Sequence, residues 1–208
     1  ALRNLDISGG NSFGAGIDVL GTSTVTLANT DVHNNAGASG GGVYVGGTST
    51  VNFSADSDIY DNTGSAGAGL IVYGTLVGSD SSSDIYGNDS TSDGGGIYLT
   101  GGAIATLQNS VFVGETAPCC QTAANGAGIY ASGSQVNILG ASSTVLNHVA
   151  TAAGGGIHLA AGSTLTMTGG SVGADVVPDS GNEAAIGGGI YADTSAIVFS
   201  GRIIANVA

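Results

Sequence analysis

The residues best equipped for chemistry are three aspartates, Asp31, Asp58 and Asp84, which recur at intervals of 27 and 26 residues, each followed by an aliphatic residue. Paired carboxylates at a set separation are the working groups of glycoside hydrolases. Three on one face could instead share calcium through their oxygens. Cys119 and Cys120 are a second candidate. Adjacent Cα atoms lie about 3.8 Å apart, below the usual disulfide range, so a bridge between them would be strained. They read as loop thiols, suited to redox or intermolecular pairing. His33, His148 and His158 have no metal-ligand spacing with the cysteines. The only cations are Arg3 and Arg202, near opposite ends, and lysine is absent. A polysaccharide lyase needs a Lys- or Arg-type base, so that mechanism is disfavoured. Two Gly-x-Ser-x-Gly runs, Gly10–Gly14 and Gly169–Gly173, match a hydrolase nucleophile elbow in letters only, because that motif acts between a strand and a helix.

These residues must be positioned by a repeat. Gly-[Gly/Ala]-Gly followed by an aliphatic residue occurs seven times, with the aliphatic at Ile17, Val43, Leu70, Ile97, Ile129, Ile157 and Ile190, at spacings of 26, 27, 27, 32, 28 and 33. After each anchor comes a segment, mostly alternating, such as Thr50-Val51-Asn52-Phe53 or Thr164-Leu165-Thr166-Met167, the period of a strand. A third segment reads Asp58-Ile59-Tyr60-Asp61-Asn62 and its equivalents. One such turn of chain cannot bury its own apolar row, whereas turns stacked about 4.8 Å apart pair every strand with its equivalents. The expected fold is therefore an all-β, right-handed parallel β-helix of about seven coils with three short strands each, in a single domain over 1–208.

Ladders follow from this register. The inward rows are the seven anchors, then Val25, Val51, Leu76, Val136, Leu165 and Ile197, then Val32, Ile59, Ile85, Val111, Val145, Val172 and Ile203. Asn35, Asn62, Asn88 and Asn206 share a corner where stacked amides satisfy buried backbone, and Gly114, His148 and Asp175 are expected to interrupt them. The Gly triplets suit positive φ and close approach between coils. Both prolines and both cysteines fall in two long loops, 115–125 and 176–186, that leave one edge of the solenoid.

Outward positions carry the rest. Tyr44, Tyr98, Tyr130 and Tyr191 follow the anchors, with Asp18, Ile71 and His158 on the remaining rungs; Tyr60, Tyr86 and Phe112, next to His33, make a second row. Such stripes are either platforms for sugar rings or protein partners, or cross-strand packing that stiffens the sheet. The aspartate ladder also has two readings. Like charges at strand spacing repel, so either calcium bridges Asp31, Asp58 and Asp84, or each carboxylate turns to an amide while water screens the remainder. A Thr column (Thr24, Thr50, Thr75, Thr164) hints at an ice-binding face but is broken by Ile104, Gln135 and Ala196.

Composition bounds the partners. A net charge of -13 repels nucleic acid and anionic lipid surfaces. No apolar run reaches the length of a membrane span, so direct membrane insertion is not expected.

The combination of Gly-Gly-Gly-Ile (Gly94–Ile97, Gly154–Ile157, Gly187–Ile190) with aliphatic-x-x-Asn (Val32–Asn35, Ile59–Asn62, Ile85–Asn88, Ile203–Asn206) resembles the repeats of polymorphic outer-membrane-protein-type passengers. It is equally similar to the wider group of bacterial right-handed β-helix surface proteins. The resemblance spans nearly the whole chain. It implies a secreted or surface-attached adhesive or structural segment, autotransporter-like, with any membrane barrel outside this sequence. The expected function is thus extracellular and non-enzymatic, with glycans, proteins or further copies stacked end to end as partners and no cofactor beyond possible calcium. A polysaccharide lyase or hydrolase on the same scaffold is the alternative.

Overall fold

In the computed structural model, which describes residues 1–14, 16–79, 82–109, 112–114, 120–173 and 181–208, the chain winds as a right-handed parallel solenoid of about seven turns. Every strand pair is parallel, and each strand inside a stack pairs with the equivalent strands of the coils above and below. The seven anchors stand on one line: Ile17 pairs with Val43, then Leu70, Ile97, Ile129, Ile157 and Ile190 in unbroken succession. The second stack aligns Val25, Val51, Leu76, Ala105, Val136, Leu165 and Ile197. Ala105 fills the rung that alternation alone leaves blank. In the third stack Val113, not Val111, pairs with Ile85 and Val145; Val111 itself lies outside the described residues. The two-residue displacement arises because Phe112 and Val113 form the strand, placing Phe112 opposite Asp84 rather than beside Tyr86.

Besides the three expected stacks, a short fourth one runs through Ala36–Gly37, Thr63–Gly64, Asp89–Ser90, Gln121–Asn125 and His148–Ala153. The two stretches of lengthened spacing rejoin the coil at Gln121 and Asn182. Gln121–Asn125 is a strand, and Glu183 and Ile186 bridge to Val149 and Ala153. Cys119 lies outside the described residues; Cys120 is half-buried. The core is one thin cluster of aliphatic ladders, in which Phe53 is the largest fully buried side chain. Rows of Val, Ile and Leu suffice because each residue is capped above and below by its own equivalents.

The glycine triplet divides its labour. In six coils the first glycine has positive φ, as at Gly40 (69°) and Gly154 (64°). The last has ordinary φ but no room for a side chain: a Cβ on Gly42 would sit 2.6 Å from Gly69 O and 3.0 Å from Asn62 Nδ2. The same clash with the corner side chain recurs in all seven coils, so the triplet and the corner residue work as one device.

Candidate functional site: ladders and outer columns

The corner ladder is built of amides and takes in one of the candidate reactive residues, His148. Asn62 Nδ2 donates to Val32 O (2.9 Å) and to Asn88 Oδ1 (3.0 Å), while its Oδ1 accepts from the backbone N–H and the side-chain Nδ2 of Asn35 (3.1 and 3.0 Å). Each amide thus satisfies backbone in one coil and a side chain in the next. Where Gly114 and Asp175 were expected to interrupt the ladder, Gln121 and Asn182 take the rungs, with Gln121 Nε2 on Ile85 O and Asn182 Nδ2 on Val145 O (both 2.9 Å). The extra residues of each insertion precede the ladder residue, so counting three positions from the aliphatic misses it.

His148 occupies the rung between them and is fully buried. Its Nε2 contacts Val113 O at 2.8 Å, which makes Nε2–H the donor. Among the described residues, the buried His148 Nδ1 has no hydrogen-bond partner, and neither have Gln121 Oε1 and Asn182 Oδ1 on the flanking rungs. Burial holds the His148 pKa down at about 3, with the Val113 carbonyl opposing the shift. The ring is a neutral structural substitute for asparagine.

The aspartate column is formed as expected, with Asp6 opposite Asp31 and the following aliphatics Val32, Ile59 and Ile85 in register. Asp58 Oδ1 accepts the backbone N–H of Asp84 at 3.0 Å, so this carboxylate turns along the axis to an amide of the next coil. Among the described residues no three His, Cys, Asp or Glu side chains are grouped to hold a metal ion. Arg3 pairs with Ala28 in the first coil and Arg202 with Ser171 in the last, at opposite ends of the solenoid.

Beside the aspartates, His33, Tyr60 and Tyr86 stack with centroid distances of 4.7 and 5.0 Å and planes within 2°. His33 Nε2 meets Asp6 Oδ1 at 2.7 Å, and Asn34 Nδ2 donates to Nδ1 at 2.6 Å, which puts the ring proton on Nε2. Burial, then Asp31 and its acidic neighbours, raise the Tyr60 pKa. Phe112 does not take the third rung in the register: Gly114, whose N–H donates to Ile85 O, follows Tyr86 there.

On the first stack, Tyr98 and Tyr130 are 5.1 Å apart and 12° from parallel, and Tyr130, His158 and Tyr191 continue at 5.0 and 4.8 Å with tilted planes. Burial, followed by the charge of Asp93, raises the Tyr98 and Tyr130 pKa values, and burial lowers that of His158. Tyr44 is separated from Tyr98 by Ile71 and instead meets Phe13 and Tyr73, both at 5.8 Å and steeply tilted. Stacked rings cover one another's faces and turn edges and hydroxyls outward. The parallel pairs are therefore cross-strand packing first. In the tilted group of Phe13, Tyr44 and Tyr73, Phe13 is 61% and Tyr73 40% exposed, so ring surface is left open there.

The solenoid with its glycine anchors and amide ladder defines the class: a parallel β-helix whose recurrent residues are scaffold. The chain belongs to the right-handed beta helix region family, whose model matches residues 2–204. Comparison with curated proteins and with solved structures gives no match.

Proposed function

We propose that this chain is a non-enzymatic structural or adhesive segment of an extracellular or cell-surface protein, of the kind carried by polymorphic outer-membrane-protein-like bacterial passengers. The observation that carries the reading is the use of its reactive residues in coil-to-coil registry. Asp58 holds an amide of the next coil, His148 stands in the corner ladder, and His158 sits within a ring column. Contact with glycans or proteins then falls to the outer columns, whose side chains repeat along the axis without serving the core. End-to-end stacking of copies is part of the same proposal, since a solenoid's parallel strands offer the same ladder bonds to a further coil.

A glycan array paired with a reducing-end assay on neutral and acidic polysaccharides tests the reading. Binding without release of new reducing ends is the expected result, and steady release would replace it with a hydrolase or lyase. Electron microscopy of the purified protein tests stacking: threads support it, and dispersed short particles at high concentration refute it.

A further inference from the structure

The fourth stack builds a trough that the ring columns and ladders do not use. Its middle column is Gly37, Gly64 and Ser90; the glycines contribute no side chain and the Ser90 side chain is buried, with its hydroxyl on Ser65 O and Asp93 O, so the backbone forms the floor. One wall is Ala36, Thr63 and Asp89, in register; the other is Ala38, Ser65 and Thr91, one residue beyond the floor in each coil. Asn11 closes one end. The hollow holds about 400 Å³ and lies open to solvent, as a surface groove does. Thr122 Oγ1 donates to Asp89 Oδ1, and Ser65 Oγ donates to Ala38 O, so both walls are tied to their neighbours before any ligand arrives.

We infer that this trough binds a neutral polysaccharide strand lying along the solenoid axis. Three observations select that occupant. The wall positions recur once per coil at strand spacing, about 4.8 Å, so a ligand extended along the axis meets one position of each wall from every coil it crosses. The polar wall groups are the Thr63, Ser65 and Thr91 hydroxyls and the Asp89 carboxylate, beside the methyls of Ala36 and Ala38; a carboxylate accepts but does not donate, which calls for a hydroxyl-rich partner with apolar C–H faces. No Lys or Arg lines the trough, and the chain carries a net charge of -13, so uronic or sulfated chains are repelled. The side-chain-free floor lets a flat sugar ring approach the backbone.

The inference rests on the reading that the chain binds rather than cleaves, and its test separates the two. Isothermal titration with hexasaccharides of β-glucan, xylan and chitin, with an oligogalacturonate as the acidic control, is applied to the wild type and to three variants. Ala36→Trp fills the trough from an exposed wall position, Asp89→Asn removes the charge, and Thr166→Ala alters a different face. At least one neutral hexasaccharide binds the wild type; Ala36→Trp weakens it tenfold or more, Asp89→Asn several-fold, and Thr166→Ala leaves it unchanged, with circular dichroism identical throughout. The acidic control does not bind. Absence of binding by every neutral hexasaccharide at millimolar concentration overturns the inference, as does binding that survives Ala36→Trp. If Tyr130→Ala abolishes binding while Ala36→Trp does not, the site lies on the ring columns and the broader reading stands without this one. Release of new reducing ends instead sinks the broader reading.

Discussion

Replacing His148 by asparagine should change how stability depends on pH. The imidazole is fully buried on the corner ladder, and its folded pKa is about 3, against about 6.5 for a free histidine. The folded value is depressed, so the unfolded chain takes up a proton that the native ring refuses. Stability is complete above about pH 6.5 and falls as pH drops toward 3, by roughly 1.4 kcal/mol per pH unit. At pH 5 this amounts to about 2 kcal/mol, or about 4–8 °C in Tm for a chain of this size. Asparagine at the same rung cannot take up that proton. It also offers an amide oxygen beside Gln121 and an amide nitrogen toward Val113 O, while losing the buried volume of the ring, so at pH 7.5 the two proteins should lie within about 1 kcal/mol. Urea unfolding followed by far-ultraviolet circular dichroism at pH 7.5, 6.0 and 5.0 measures the difference. Titration of the carboxylates is common to both proteins and cancels. A gap between His148→Asn and wild type that stays constant from pH 7.5 to 5 would refute the assignment of a neutral, proton-refusing histidine to this rung.

Removing an amide from the intact part of the ladder should be costly at every pH. Asn62→Ala deletes four hydrogen bonds, takes the amide donor from the Val32 carbonyl and leaves the buried Asn35 backbone N–H without its acceptor, an expected loss of about 3 kcal/mol or more in urea unfolding. Two glycine substitutions should differ sharply. Gly42→Ala forces a Cβ to 2.6 Å from Gly69 O and should fail to fold or lose several kcal/mol, whereas Gly102→Ala, with nothing within 4 Å but a φ of 84°, should cost only about 1 kcal/mol. Excess EDTA should leave Tm unchanged if Asp58 is held by the Asp84 amide alone. A drop on chelation, reversed by calcium, would assign a cation to Asp31, Asp58 and Asp84.

The stacking register was legible because it is written in residue type at every coil. All seven aliphatic anchors and the Asp18-to-Tyr191 outer row stand where their spacing puts them. What failed was counting across irregular coils. Gln121 and Asn182 hold the ladder, yet they lie far from the preceding aliphatic, because insertions between strand and corner change the distance while the corner geometry stays the same. A signal was nevertheless present. Gln121 precedes Gly126 by five residues, as Asn35 precedes Gly40, Asn62 precedes Gly67 and Asn182 precedes Gly187, so counting backward from the next glycine triplet would have found it. The trough was not legible, because its walls of Ala, Thr, Ser and Asp have no periodic apolar signature.

A fold of this kind separates two kinds of position by physics. Inward residues and corner amides are answerable to the coils above and below, so a change at Asn62 or Gly42 disturbs neighbours on both sides. Outward residues answer to the same 4.8 Å repeat but to no core contact, which lets a column change its chemistry from one coil to the next. The Asp31 row shows this: aspartates through Asp84, then Phe112, Thr144, Ser171 and Arg202 on successive rungs of one unbroken stack. Because any outer group is presented beside its counterparts at a set interval, recognition by this surface is a property of columns, and a partner that repeats along the axis gains contacts in proportion to the number of coils it crosses. An isolated small ligand meets one rung and gains little. Binding strength should therefore rise with oligosaccharide length up to about four units, the number of coils that the trough from Asn11 to Thr91 crosses, and level off beyond it. Affinity that is already complete for a monosaccharide would contradict the column argument.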